Sequence, residues 1–310
     1  MQLYETVSLN QRAPHLLEAS ALVPIVTTSA LLLDAISSLG AVYSFRKLVT
    51  AFAGNCVRIR RSSDNAEQDF GFVSNVVDAA GIATFVGGGS GFIVTWYDQS
   101  GNGIDITQAT AGAQPQYIAT GINSLPTARF DGSDDILAKA SVNISSLVNA
   151  DEMTFLFAQT QIGTQATNGT FGWVSPSDTN VIGVYASFSD VIYFDFGNTS
   201  GGRNNAAQPS GWDDTAHITE GYRATGGTQE IMVDGASIVS SSRSGGPSGT
   251  STWNVGANPN NGNTYLKGDL SELMILKNDT GSTNRSTIRK DGVGSGVAQG
   301  MGPYYGITVS

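Results

Sequence analysis

The stretch FIVTWYDQSGNGIDITQAT, Phe92–Thr110, decides the fold that the sequence predicts. Phe92–Tyr97 alternates along its length as a β-strand does. The polar segment Asp98–Gly103 contains Ser-Gly and Asn-Gly steps, which allow positive φ and are typical of turns. Ile104–Thr107 alternates again. The stretch is therefore predicted to be strand, loop and strand.

The loop of this motif is rich in side-chain oxygens. In a long surface loop such groups often satisfy the backbone. The alternative is that Asp98, Asn102 and Asp105 bind a cation or a sugar through their oxygens. Their spacing does not match the twelve-residue calcium loop, which ends in a glutamate. We predict no metal and no cofactor, and keep these three residues as a loop of interest.

Short alternating segments recur along the chain at about 8–12-residue spacing, with glycine turns between them. Met153–Thr160 is the clearest strand, and Asp234-Gly235 predicts a hairpin turn. One helix is predicted near the N-terminus, at Ser44–Phe52, because its apolar residues recur at helical spacing and Ser44 can cap it. Many short strands with little helix indicate an all-β sandwich or jelly roll.

The composition is that of a folded protein with little charge. Of its 310 residues 40% are hydrophobic and 14% are charged, against a usual ~25% charged. The formal net charge is −10. Nucleic acids and anionic membranes both require a cationic face, so neither is expected as a partner.

The single cysteine, Cys56, cannot form an internal disulfide and is expected to be a buried apolar residue. No secretory signal is recognisable in Met1–Leu17, which contains Glu5 and lacks a basic start. The apolar run Ala21–Leu33 is too short to span a bilayer. We therefore expect the protein to be made in a cytoplasm without a signal peptide.

Several blocks resemble known proteins. Arg60–Asn65 (RRSSDN), Trp96–Gly103 (WYDQSGNG) and Thr107–Ala109 (TQA) resemble the opening of the catalytic domain of the arabinofuranosidase B family. Ala128–Asp135 (ARFDGSDD) and Val255–Leu276 resemble concanavalin-A-like jelly rolls of the laminin-G type. Phage proteins similar to this family carry the same blocks, so the resemblance implies a phage protein.

The resemblance covers most of residues 37–280 and implies a domain layout. Residues 36–280 are predicted to form one all-β, concanavalin-A-like β-sandwich (jelly roll). Residues 1–35 differ from the rest and are predicted to be an N-terminal arm. Residues 281–310 are predicted to be a Gly-rich C-terminal tail.

The resemblance also allows the family's catalytic residues to be sought by position. The family's acid lies in a Gly-Gly-Asp block that matches Gly256–Asn258, where an amide replaces it. The family's nucleophile is a glutamate that follows a strand matching Phe194–Asn198, yet Thr199–Asp214 contains no glutamate. Ile192 and Tyr193 replace the family's paired cysteines. General acid catalysis needs a proton donor, so the resemblance predicts no catalytic residue and no enzyme.

A carbohydrate-binding site needs less, namely an aromatic platform with a few amides or carboxylates. The candidates are Trp173, Tyr193, Asp195, Trp212, Trp253 and Asn258. For each tryptophan, packing in the core of the sandwich is the alternative.

Together these features predict a non-enzymatic virion structural protein of a bacteriophage: a tail fibre, a tailspike or a capsid-decorating component. Such proteins are usually symmetric oligomers, so a homotrimer is expected. Residues 1–35 would dock on other virion proteins, and the sandwich would contact host glycans. Two alternatives stay open: a carbohydrate-binding adhesin and an arabinofuranosidase-type glycoside hydrolase.

Overall fold

The structure is a computed structural model that describes residues 30–149, 151–164, 169–177, 180–187, 189–258, 264–278, 281–290 and 299–310. Within these ranges the side chains of residues 169–177, 180, 186–187 and 198–200 are not described. Most of the predicted N-terminal arm, residues 1–29, lies outside the described chain.

The first half of the chain supplies ten strands and one helix. In chain order they are β1 (Leu39–Ser44), β2 (Val57–Arg61), β3 (Glu67–Phe70), β4 (Phe72–Val73), β5 (Val76–Val77), α1 (Ala79–Val86), β6 (Gly91–Trp96), β7 (Ile106–Thr107), β8 (Gln116–Ile118), β9 (Thr127–Asp131) and β10 (Leu137–Asn143). Short 3-10 turns lie at Ala111–Ala113, Ile122–Ser124 and Ile144–Ser146.

The second half supplies the longer strands and two further helices. They are β11 (Met153–Gln161), β12 (Gly169–Ser177), β13 (Asn180–Ser187), β14 (Val191–Ala207), β15 (Ala216–Arg223), β16 (Thr228–Val233), β17 (Ala236–Ser242), β18 (Thr250–Val255), β19 (Ala257–Asn258), β20 (Thr264–Tyr265), β21 (Lys267–Leu276), α2 (Gly281–Lys290) and α3 (Met301–Tyr305).

These strands form an antiparallel sandwich, which confirms the predicted all-β sandwich. One layer runs β17–β16–β15–β11–β21–β9–β8–β6–β2–β3, and β1 pairs with the other end of β21. The second layer runs β10–β18–β12–β13–β14. Strand β7 pairs with both β6 and β10 and so links the two layers.

The middle strands of the first layer are buried on both faces. On β11, Phe155 and Phe157 belong to the core between the layers, whereas Leu156 belongs to a second apolar cluster on the opposite face. The rings of Phe155 and Phe194 meet edge to face at 4.8 Å and join the two layers. A strand with two apolar faces explains why Met153–Thr160 is so continuously hydrophobic.

The C-terminal residues cover that second face. Arg285 and Arg289 of α2 both pair with Glu220 of β15, whose side chain is fully buried. Ile288 is fully buried in the same apolar cluster as Leu156. Residues 281–290 and 301–305, expected as part of a Gly-rich tail, therefore form helices packed on the sandwich, and residues 291–298 lie outside the described chain.

The predicted helix at Ser44–Phe52 is wrong, because a side chain from elsewhere binds the backbone there. Leu39–Ser44 is strand β1, and the residues after it are irregular. The Gln99 carboxamide donates to the carbonyl oxygens of Ser44 and Arg46 and accepts from the Leu48 N–H. These backbone groups are thus bound without any helical hydrogen bond.

The helix of this region is instead α1, which the sequence pattern did not predict. The side chain of Asp78 caps it by accepting from the Gly81 N–H. Ile82 is its buried residue. Among the described residues, no helix is long and apolar enough to cross a membrane.

Candidate functional site

A row of polar and aromatic residues crosses the outer face of the first layer. Directly opposed residues of antiparallel strands share a face of the sheet. The register pairs Arg60 with Phe92, Phe92 with Gln116, Gln116 with Arg129, and Arg129 with Asp269. Five strands, from β2 to β21, thus place one residue each in this row.

Three residues of the row, Phe92, Gln116 and Arg129, line a cleft of about 600 Å³. The chain neighbours of these residues, such as Ile59, Ile93 and Ala128, are fully buried in the core between the layers, so the row faces outward. The lining residues are Phe92, Ala111, Gly112, Gln114, Gln116, Arg129, Phe130, Asp131, Asp135, Ile162 and Lys267.

Asp135 is the most perturbed carboxyl group of the cleft. Its side chain is buried, and one oxygen accepts from the Asp131 N–H at 2.9 Å. Burial, together with the charges of Asp131 and Asp134, raises the pKa of Asp135 to about 7. Asp135 is therefore a carboxyl group that holds its proton close to neutral pH.

Asp131 and Asp134 stand beside it and are exposed to solvent. Carboxylate oxygens of the three aspartates lie within 4.8 Å of one another. A neutral and an ionised carboxyl at such a distance can act as acid and nucleophile or base. In the sequence, Ala128–Asp135 stands out only through its resemblance to jelly rolls, because the cleft beside this turn depends on the register of several strands.

Three of the predicted sugar-binding residues come together elsewhere, at β13, β14 and β19. Tyr193 is opposite Tyr185 in the strand register, and their rings lie 6.0 Å apart. The hydroxyl of Tyr185 hydrogen-bonds to Asp195 and accepts from the Asn258 amide at 3.4 Å. We call Tyr185, Tyr193, Asp195, Arg203 and Asn258 the tyrosine cluster.

Asp195 is fully buried, and Arg203 holds both of its carboxylate oxygens at 2.6 and 2.5 Å. Burial raises the pKa of Asp195, and the Arg203 guanidinium opposes that shift. The guanidinium also lies over the Tyr193 ring, 4.9 Å from its centre. With both oxygens engaged, Asp195 is suited to hold the cluster together and poorly placed to attack a substrate or donate a proton.

The other predicted sugar contacts are not part of this cluster. Trp212 is 3% exposed, donates to the Gln161 carboxamide at 3.1 Å and stacks on His217. Trp253 is 1% exposed and belongs to the main core. Trp173 lies on β12, and its side chain is outside the described set. Trp212 and Trp253 are therefore core residues of the sandwich, which is the commoner role of tryptophan in such folds.

The side chains of the loop of interest, Asp98, Asn102 and Asp105, form hydrogen bonds with backbone groups. The Asp98 carboxylate accepts from the N–H groups of Val42, Ser100 and Ile104. Asp105 accepts from the Asp98 N–H, and the Asn102 amide donates to carbonyl oxygens of β1. The side chains of this loop therefore join β6, β7 and β1 and do not converge on a shared ligand position.

The chain is similar to known proteins in sequence and in fold. A family model described as "Alpha-L-arabinofuranosidase B, catalytic" matches residues 37–230. No curated protein matches the chain by sequence. Two solved structures of similar fold are a GH54 α-L-arabinofuranosidase variant soaked with 4-nitrophenyl α-L-arabinofuranoside and an arabinofuranosidase complexed with arabinofuranosyl-α-1,2-xylobiose.

The first is 17% identical with a TM-score of 0.61, and the second is 16% identical with a TM-score of 0.62. In both cases the match covers 82% of this chain and 62% of the other, so this chain spans less than two thirds of those enzymes. At this identity the likeness shows a shared fold. These findings give no support to a phage virion role.

The expectation of a non-enzymatic virion structural protein is therefore wrong, since the matching family is one of catalytic domains. That expectation rested on the resemblance to phage proteins, the replaced catalytic positions, the lack of a recognisable signal peptide and the N-terminal arm. The family match over residues 37–230 outweighs these features. The carbohydrate-related sandwich itself is confirmed. With its family model matched from residue 37 to residue 230, the chain belongs to the arabinofuranosidase B catalytic-domain family.

Proposed function

We propose that this protein is a glycoside hydrolase that releases arabinofuranosyl residues, and that its active site is the cleft at Asp131 and Asp135. The observation that carries the proposal is the carboxyl pair. Asp135 has a pKa raised to about 7, and Asp131 lies within 4.8 Å of it in a cleft of about 600 Å³. Family membership supplies the class of substrate.

Retaining glycosidases use two carboxyl groups about 5–5.5 Å apart. Side-chain oxygens of Asp131 and Asp135 lie within 4.8 Å of each other, so we assign a retaining reaction. Asp135 donates its proton to the glycosidic oxygen while the Asp131 carboxylate attacks the anomeric carbon and displaces the leaving group. Asp135, now ionised, then takes a proton from water, and that water releases the sugar from Asp131. Asp135 regains its proton in the second step, so the cycle is complete.

The cleft also lies beside the block where the family carries its acid. A Cβ atom added at Gly256 would lie 3.2 Å from the carbonyl oxygen of Asp135, so the two segments touch. Asn258, two residues further on, cannot donate a proton as an acid does. Asn258 itself belongs to the tyrosine cluster, so Asp135 is the proton donor that we assign to the cleft.

The test is release of sugar from arabinotriose and of nitrophenol from 4-nitrophenyl α-L-arabinofuranoside by the 310-residue chain. Asp135→Asn should lower the rate on arabinotriose by about 10²–10⁴-fold, because general acid catalysis is worth that much. The loss should be smaller on the aryl substrate, whose leaving group needs less protonation. Asp131→Asn should abolish turnover of both.

The matched control is Asp190→Asn, which changes an exposed aspartate at positive φ, where asparagine is well tolerated. Its activity should equal that of the unchanged protein. Absence of turnover on both substrates would overturn the proposal. Full activity in Asp135→Asn would move the active site elsewhere, and Asp195→Asn would then show whether the tyrosine cluster contains it.

A further inference from the structure

Phe92 is the partly exposed aromatic residue that lines the cleft. It stands between Arg60 on β2 and Gln116 on β8 in the strand register. We infer that Phe92 is the platform on which a neutral sugar ring stacks, and that Arg60 is the residue that fixes this platform. The class of ligand rests on the proposed function, whereas the dependence of sugar affinity on Phe92 can be tested without hydrolysis.

Arg60 has an unusual environment for a cation. It is 8% exposed, and the oxygens that it reaches are all neutral. Its guanidinium donates to the Gln114 carboxamide at 2.7 Å, to the Asn65 carboxamide at 2.9 Å and to the Ala111 carbonyl at 3.0 Å. Burying a cation among neutral groups is costly unless its N–H groups are hydrogen-bonded. These three hydrogen bonds therefore fix the position of the Arg60 guanidinium.

Arg60, held in this way, fixes the position of the Phe92 ring. The Arg60 guanidinium lies over the Phe92 ring, 4.7 Å from its centre. A cation above a ring at this distance attracts it and restricts its rotation. The ring is therefore held before any ligand arrives, and less conformational entropy is lost on binding.

The rest of the cleft indicates which ligand suits this ring. A sugar presents a face of C–H groups, which packs on an aromatic ring, and a rim of hydroxyl groups, which need polar partners. Gln116 and Arg129 continue the row beyond the ring, and Asp131 and Asp135 form one edge. Arg129 and Lys267 line the cleft together with these two aspartates, so its charge is mixed, and the choice of a neutral sugar rests on the proposed function.

The experiment is calorimetric titration of the full chain with arabinotriose, with hydrolysis followed separately. Phe92→Ala should weaken binding about tenfold and raise KM, with kcat nearly unchanged, because uniform binding is lost. Phe92→Trp should restore affinity. Phe92→Leu keeps apolar volume without a flat ring, and it should bind as weakly as Phe92→Ala even if the alanine variant folds poorly.

Arg60→Met tests the positioning role. It should raise KM like Phe92→Ala, and the double variant should be no worse than either single one, because both changes act through the same ring. Phe72→Ala is the control: Phe72 is a partly exposed phenylalanine on β4, outside the cleft, and its loss should leave binding unchanged.

The outcomes separate the two proposals. Unchanged arabinotriose affinity in Phe92→Ala, or no binding by the unchanged protein, would overturn the platform. Binding that depends on Phe92 without any hydrolysis would support the platform and overturn the hydrolase. Hydrolysis with the same KM in Phe92→Ala would support the hydrolase and overturn the platform.

Discussion

At the scale of single residues, two buried aspartates with different partners have different capacities. Asp135 meets one backbone N–H and two neighbouring carboxylates, so its neutral form is favoured. Asp195 binds the Arg203 guanidinium with both oxygens, and this pairing opposes the rise in pKa that burial causes. The same side chain is thus a proton donor in one place and a structural anchor in the other.

The raised pKa of Asp135, about 7, predicts a pH dependence of activity. The group donates a proton only while it is protonated, so kcat/KM should fall as pH rises through about 7. A pH–rate profile on arabinotriose measures this. A rate that is flat from about pH 6 to 9 would contradict the role of Asp135 as the acid.

The same pKa predicts a pH dependence of stability. Asp135 ionises near its ordinary pKa of 3.8 when the chain is unfolded and near 7 when it is folded. Between these values the folded state binds more protons, so this group's contribution is full below about pH 4 and is lost as pH rises through 7. Urea unfolding across this range should show the slope in the unchanged protein, and Asp135→Asn should lack it.

Asp195→Asn should destabilise the protein more than Asp64→Asn. The first change leaves Arg203 without its fully buried carboxylate partner, whereas the Asp64–Arg61 pair is exposed and solvent screens it. The midpoints of urea unfolding curves for the two variants compare these effects directly. Equal midpoints would mean that the tyrosine cluster does not depend on its ion pair.

At the scale of elements, α2 is a structural part of the sandwich. Its two arginines reach the buried Glu220, and Ile288 is fully buried against the face of the sheet that does not point into the main core. Burial raises the pKa of Glu220, and the charges of Arg289 and Arg285 counter it. A buried carboxylate with two guanidinium partners fixes where the helix lies.

Ile288→Ala should therefore cost about 2–5 kcal/mol of unfolding free energy, as is usual for large-to-small changes in a core. Thr287→Ala, next to it on α2 with its hydroxyl at the surface, should change stability by less than about 0.5 kcal/mol. Chemical denaturation of both variants measures the difference. A small effect of Ile288→Ala would mean that the helix packs loosely on the sheet.

Local pattern predicted the elements well where packing agreed with it and failed where a distant side chain intervened. Met153–Thr160 and the Asp234-Gly235 hairpin were predicted and confirmed, since each depends on its own sequence. The Ser44–Phe52 segment has a helical pattern, but Gln99 binds its backbone. A hydrogen-bond partner that is distant along the chain cannot be recognised from the periodicity of a short segment.

At the scale of the whole molecule, the sandwich was predictable, and so was part of the tyrosine cluster. Tyr193, Asp195 and Asn258 were selected by position and do come together. The cleft was not predictable, because Phe92, Gln116 and Arg129 of its lining come from three different strands. Only the register of all those strands shows that Phe92 and Arg129 share a face.

The homotrimer and the docking arm stay predictions, and light scattering tests them. The shortened chain should begin at Ala30, because Leu31, Leu32 and Leu33 are buried in the folded protein and a later start would damage it. If the arm assembles the protein, the full chain should have the mass of a trimer and the shortened chain that of a monomer. A monomer in both cases would contradict the trimer.

Strand β1, near the start of the chain, pairs with β21, near its end: Leu39 lies opposite Leu276, and Ser44 opposite Glu272. During synthesis on the ribosome, β1 can therefore pair with β21 only after more than 200 further residues have been made. Such a long-range closure is slow. Until β21 has been made, the apolar strand β1 has no partner on that edge, and the nascent chain is open to misfolding and aggregation at this stage.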